Sequence, residues 1–304
     1  MVIAATLAPQ ATAAAATAST RPFATLAAII LASALAGRLG AFGALARVLI
    51  PDRSARVSSA AAILAFTALL SGLVNLDVAV VAATPIALHA AGRHGLSAPR
   101  LAVAIAMTAN AASFLLPTSN ITNLLLLSRV PAATLAYLGG SWLSWLLVTA
   151  ITAGPLAWWA TAGATPAAPA VTAGPSARAV FDLVPMFLLV TAIHALLGTG
   201  LALHGGFTRQ LTTGALLAAA VNNLPAAAAI LPAGTPGLWA AILATTIGPD
   251  LLITGSVATL ITRRIARDHN VRFGAWQFTA TGLVLVPAQL AAATLGLHLT
   301  GVLK

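Results

Sequence analysis

The sequence predicts an all-α polytopic membrane protein made of two inverted repeats, each with a re-entrant hairpin and a discontinuous transmembrane helix. Three observations lead there. Of 304 residues, 60% are apolar and 7% charged, against about 45 to 50% and about 25% in soluble domains. The apolar runs are cut by short polar breaks instead of long loops. The same order of intact and broken runs then recurs on either side of a Pro/Gly/Ala-rich stretch near the middle of the chain.

Residues 1–20 carry no charge and no basic leader, so they read as a disordered tail and not as a cleaved signal peptide. The first repeat is placed at 21–160. Phe23 to Ile50 holds one span and a short continuation bearing Arg38 and Arg47. Val57 to Leu73 and Val78 to Ala91 flank the break Val74-Asn75-Leu76-Asp77. At 1.5 Å per residue these arms reach only about 21 to 26 Å, short of the roughly 20 residues a full crossing needs. Leu101 to Leu116 runs into the polar turn Pro117 to Asn123, and Thr134 to Trp159 is a plain span closed by an interfacial Trp pair. Residues 161–179 lack helical periodicity and are expected to be a linker.

The second repeat, 180–304, repeats the order. Val180 to Leu203 is a span, and Thr212 to Pro232 is short and interrupted at Val221-Asn222-Asn223-Leu224-Pro225. Leu238 to Ile261 is broken at Gly248-Pro249-Asp250 and at Thr254-Gly255-Ser256, and Phe273 to Leu299 closes the chain. Val74-Asn75-Leu76 aligns with Val221-Asn222-Asn223, and Ser119-Asn120-Ile121-Thr122 with Ser256-Val257-Ala258-Thr259. Paired interrupted segments in corresponding halves are the sequence signature of an inverted-repeat secondary transporter.

The charges serve orientation. With re-entrant hairpins, Arg38, Arg47, Arg53, Arg56, Arg93, Arg100, Arg178, Arg263, Arg264, Arg267 and Arg272 fall on one face, and Arg21, Arg129, Arg209 and Lys304 on the other. By the positive-inside rule the larger set is cytoplasmic, with the N-terminus outside, in an inner (plasma) membrane. Counting each hairpin as a single crossing gives nearly the same division, so the arm lengths carry more of the argument. The Arg residues are scattered between apolar runs, so the net charge of +10 points to the lipid bilayer as partner and not to nucleic acid. The chain has no Cys and no Glu, and its single Lys is the last residue. That excludes disulfides, thiolate metal sites, Walker A nucleotide hydrolysis and H-E-x-x-H proteolysis. No enzymatic motif is present, and no cofactor is expected beyond Na+ or H+ as coupling ion.

Unwound backbone and polar side chains at membrane depth persist only where protein or water satisfies them. The candidate substrate- or ion-binding set is therefore Asn75, Asp77, Ser119, Asn120, Thr122, Asn123, Asn222, Asn223, Asp250, Gly255, Ser256 and Thr259. Asp77 and Asp250 are the acids embedded in apolar runs, and each would cost about 2.5 to 3.5 kcal/mol at mid-membrane on insertion scales. Two readings of them stay open: coupling of Na+ or H+, or simple capping of the half-helix that follows. The breaks themselves could instead be helix-packing glue. His194 lies within a span, where a proton relay and a structural hydrogen bond are equally available. The other five His sit near segment ends.

In this order, the breaks resemble those of the ion transporter superfamily, most closely its arsenite/antimonite permease branch. The blocks are Leu73-Val74-Asn75-Leu76-Asp77 running to Ala83-Thr84-Pro85, Ser119 to Leu124, Val221 to Ala226, Ile247 to Asp250, and Gly255 to Leu260 with Phe273 to Phe278. The resemblance covers roughly residues 25 to 300. It implies two hairpins and two discontinuous helices around a midplane site, and gradient-driven export of a small inorganic oxyacid or anion. The alternatives are a Na+/H+ antiporter, a carboxylate carrier and, of another class, a non-transporting scaffold or accessory subunit. A homodimer is compatible with each.

Overall fold

The computed structural model describes residues 9–51, 55–130, 132–163 and 200–303, with scattered positions at 6, 184, 188, 191, 192 and 195. The expected linker beyond Gly163, most of the span 180–203, and His194 lie outside the described residues.

The first half contains α1 (Pro9–Arg38), α2 (Ala41–Leu49), α3 (Arg56–Leu73), α4 (Leu76–His94), α5 (Ala98–Ala111), a 3-10 turn at Pro117–Ser119, α6 (Ile121–Leu127) and α7 (Thr134–Thr161). After Gly200 come β1 (Leu201–Ala202), α8 (Phe207–Val221), α9 (Asn223–Ala229), β2 (Ile230–Leu231), α10 (Gly234–Ile247), a 3-10 turn at Gly248–Leu251, α11 (Val257–Asp268) and α12 (Ala275–Leu299). Among the described residues, four helices, α3, α4, α7 and α12, are long and apolar enough to cross a membrane. The described residues are helical as expected, apart from one small parallel pairing of β1 with β2.

Two expectations change. Helix α1 begins at Pro9, inside the stretch read as a disordered tail. That stretch is dominated by Ala, the strongest helix former, and Pro is tolerated in a first helical turn. The arms of the first hairpin are 18 and 19 residues, longer than the 17 and 14 obtained by cutting the sequence at its charges. A helix does not end at a charge. Helix α4 continues through Arg93 to Gly95, whose φ of +62° supplies the left-handed stop. The arms of the second hairpin, α8 and α9, are 15 and 7 residues and stay short.

The halves interlock through their broken helices. One core is formed by α3, α4, α5 and the end of α7, yet it includes Val257, Ala258, Ile261, Ile265 and Ala266 of α11. The other is formed by α8, α10 and α12, yet it includes Leu126 of α6. Each broken helix therefore sends its second segment into the opposite half: α11 packs on α4 and α5, and α6 packs on α9 and α10. The long helices α7 and α12 also pair, in the small-residue manner of membrane helices. Gly296 of α12 lies against the backbone of Ser144, whose hydroxyl donates to Ala293 O at 2.8 Å. Gln289 Nε2 donates to Thr152 Oγ1 at 2.9 Å in the same buried seam.

Candidate functional site

The breaks at Asn75, Asn120, Asn222 and Ser256 are helix starts, and each carries the same local device. A residue in extended or otherwise non-helical geometry turns its side-chain oxygen back to accept the N–H two positions on. Asn75 accepts from Asp77 N (2.8 Å), Asn120 from Thr122 N (3.1 Å), Asn222 from Leu224 N (3.3 Å) and Ser256 from Ala258 N (3.2 Å). Asn and Ser are preferred here because a short side chain can reach an N–H that the helix leaves unpaired. Capping of α4 therefore falls to Asn75 and not to Asp77, and Asp250 caps nothing: it sits in the 3-10 turn that ends α10.

The spare amide hydrogens of the two hairpin Asn residues tie each hairpin to the broken helix of its own half. Asn75 Nδ2 donates to Thr118 O at 3.3 Å, and Asn222 Nδ2 donates to Thr254 O at 2.9 Å. Thr118 stands two residues before the cap Asn120, and Thr254 two residues before the cap Ser256. By these two hydrogen bonds Asn120 corresponds in position to Ser256, one residue away from the alignment that sets Ser119 opposite Ser256. Ser119 instead donates to Gly72 O and accepts from Leu116 N. In the second half, Asn223 N donates to Gly255 O at 2.8 Å, and the backbone of Pro249 sits so close to Gly255 that no Cβ would fit.

A buried polar chain joins the two halves. Asn120 Nδ2 donates to Ser113 Oγ at 3.1 Å, and Asn123 Nδ2 to Ser113 O at 2.9 Å. Ser113 Oγ donates in turn to Asn110 O at 2.8 Å. From there Asn110 Nδ2 reaches into the second half, donating to Asp250 Oδ1 at 2.8 Å and Thr259 Oγ1 at 3.0 Å. Asn110 and Thr259 are 0% exposed and Asp250 is 1% exposed. Oδ2 of Asp250, Oδ1 of Asn110, Oδ1 of Asn123, and the hydroxyls of Thr108 and Thr122 have no hydrogen-bond partner among the described residues. Several polar atoms are thus buried and available along one line.

Of the residues picked from sequence, Asn75, Ser119, Asn120, Thr122 and Asn123 gather at the first-half break, and Asn222, Asn223, Gly255 and Ser256 at the second. Asp250 and Thr259 meet at Asn110. Asp77 stands apart: its backbone joins the Asn75 cap, while its half-buried carboxylate takes no part in the hydrogen-bonded chain. Sequence reasoning missed Asn110 and Ser113, the two links of that chain. Both lie in the run read as an uninterrupted apolar span, and a lone Asn at such a depth was the available signal.

Residues 1–232 match the family described as CitMHS: Citrate transporter. Among curated proteins, nothing matches the chain.

Proposed function

The chain therefore belongs to the citrate transporter family, which makes it a membrane secondary transporter, and we propose that it moves a small carboxylate held at the two breaks. The observation that carries this reading is the buried line from Asn120 through Ser113 and Asn110 to Asp250 and Thr259. It links the break of one half to the break of the other, as a site shared by two repeats requires. Support for an internal repeat comes from the matched ties of Asn75 and Asn222 and from the exchange of α6 and α11 between cores.

Carboxylate oxygens need donors, and the site offers hydroxyls of Thr122 and Thr259 together with backbone N–H groups at the starts of α4 and α11, where the helix dipole also favours an anion. A carboxylate carrier is expected to have either an internal Arg or a rich Ser/Thr set, and Thr108 and Ser113 enlarge the set beyond the residues visible as breaks. Energy would come from an H+ or Na+ gradient, with Asp77 and Asp250 the acids available to couple it.

Export of an arsenite- or antimonite-type oxyacid is the second reading. It is favoured by one feature: every side chain in the hydrogen-bonded chain is uncharged except Asp250, and a neutral hydroxy species asks for no cation. Purified protein in proteoliposomes separates the two. Saturable accumulation of radiolabelled citrate or a related carboxylate, driven by an imposed gradient, is expected. Accumulation of arsenite without carboxylate uptake would transfer the assignment to the second reading.

A further inference from the structure

Asp250 is the most deeply buried acid among the described residues, and its surroundings are unusual in having no cation among those residues. The turn that holds it, Gly248–Leu251, packs against α5, α8, α10 and α12. The charged or titratable residues of those helices are Arg100 in the first turn of α5, Arg209 in the first turn of α8, and His298 in the last turn of α12; α10 has none. Arg100 is ten residues from Asn110 on the same helix, about 15 Å along the axis. On α11, Arg263, Arg264, Arg267 and Asp268 lie beyond Thr259 toward the far end, where Arg264 pairs with Asp268 at 3.0 Å. The backbone around Asp250 is also tightly held. Gly248 abuts the backbone of Ala215, and Gly282 leaves no space for a Cβ beside the Asp250 carbonyl.

An ionised carboxylate with a single hydrogen bond and no countercharge is strongly disfavoured in such a place. It must be neutralised by something that binds there. A metal cation would need oxygens converging on it, but the group facing both Asp250 Oδ1 and Thr259 Oγ1 is the amide nitrogen of Asn110, a donor. That geometry suits a proton on the other carboxylate oxygen.

We propose that Asn110, Asp250 and Thr259 form a proton-binding site at the seam between the halves, with the proton on Oδ2 of Asp250 and Oδ1 held by the Asn110 amide. The step is a simple addition: H+ from water bonds to Oδ2, turning carboxylate into carboxylic acid, and leaves by the reverse. Asn110 is a positioning residue, because its two bonds join α5 of one half to the 3-10 turn and α11 of the other. A change of charge at Asp250 therefore alters a contact that spans both halves. The proposal rests on the transporter reading, narrowing its coupling ion to H+ and its acid to Asp250.

Infrared difference spectroscopy on the full chain in lipid, recorded between high and low pH without any substrate, tests it. A carboxylic acid C=O band should appear on acidification, vanish in Asp250→Asn and persist in Asp77→Asn. In Asn110→Ala the acid should persist to higher pH by about one unit, because a hydrogen bond favouring the carboxylate is gone. Replacing choline chloride by NaCl should leave the wild-type band unchanged. A band untouched by Asp250→Asn, one that Na+ abolishes, or a titration indifferent to Asn110→Ala would overturn the proposal. The Na+ and Asn110→Ala arms stand even if Asp250→Asn fails to fold. Because no substrate is used, a failed carboxylate assay and a failed proton assignment are told apart.

Discussion

Asn75 and Asn222 do the same two jobs in the two halves: each side-chain oxygen caps the helix that follows, and each amide hydrogen bonds the carbonyl two residues before the next cap. They differ in backbone. Asn75 is extended, whereas Asn222 has φ +83° and ψ 148°, a region occupied almost solely by glycine that costs on the order of 1 to 3 kcal/mol for other residues.

That difference predicts an order of stabilities. Asn222→Ala loses the cap, about 1 kcal/mol, and keeps the backbone strain. Asn222→Gly loses the cap but relieves the strain. Denaturant unfolding in detergent should rank Asn222→Gly above Asn222→Ala, and the reverse order would mean that the unusual backbone is not held in the folded protein.

Close helix packing gives a second prediction. A methyl group at Gly282 meets the Asp250 carbonyl, and one at Gly296 meets the Ser144 backbone, whereas nothing lies within 4 Å of the corresponding point at Gly139. Gly282→Ala and Gly296→Ala should each destabilise by about 1 to 3 kcal/mol, and Gly139→Ala should be neutral. Thermal unfolding of the three variants side by side decides it.

The Arg129 guanidinium donates to Ala228 O and Ile230 O, so a loop of the first half closes the C-terminal end of α9 in the second. A cation there also suits the helix dipole. Partial burial lowers the affinity of this guanidinium for its proton, yet Arg stays charged at any physiological pH. Arg129→Gln should therefore loosen α9 by about 1 kcal/mol once solvent screening is allowed for, equally at pH 6 and pH 8. Amide hydrogen exchange across residues 223–229 measures it, and unchanged protection would show that the contact holds nothing.

Orientation can be read chemically, because the chain has no Cys and any introduced thiol is unique. Asn270 follows the basic end of α11 and Ala132 precedes α7, and both are exposed. Asn270→Cys should label with a membrane-impermeant maleimide only from the cytoplasmic face, and Ala132→Cys only from the opposite one. Labelling of both from one side would contradict the positive-inside assignment.

How much of this was legible in the sequence differs by level. The breaks at Asn75, Asn120, Asn222 and Ser256 announce themselves because cap residues stand out inside apolar runs. Segment lengths were less legible: a charge such as Arg56 or Arg93 looks like a boundary, but only a residue able to turn the chain, such as Gly95, ends a helix. Exchange of α6 and α11 between cores leaves no local signature, since Leu126 and Ile265 are apolar whichever half they face. Asn110 was hidden for the same reason that it matters, being one polar side chain in a buried helix whose partners, Asp250 and Thr259, lie 140 and 149 residues away. Motif order reaches the transporter class and not the substrate branch, because the breaks report how the helices start and not what occupies the space between them.

The central claim is that the two breaks, joined through Ser113 and Asn110, bind one carboxylate. Citrate counterflow in proteoliposomes, comparing wild type with Asn120→Ala and Ser113→Ala variants of verified fold, tests it most directly. The account predicts saturable exchange of radiolabelled citrate by the wild type and at least tenfold slower exchange by each variant, as expected when about 1.4 kcal/mol or more of binding is lost. Wild-type exchange no faster than that of empty liposomes, or variants that exchange as well as the wild type, would contradict it.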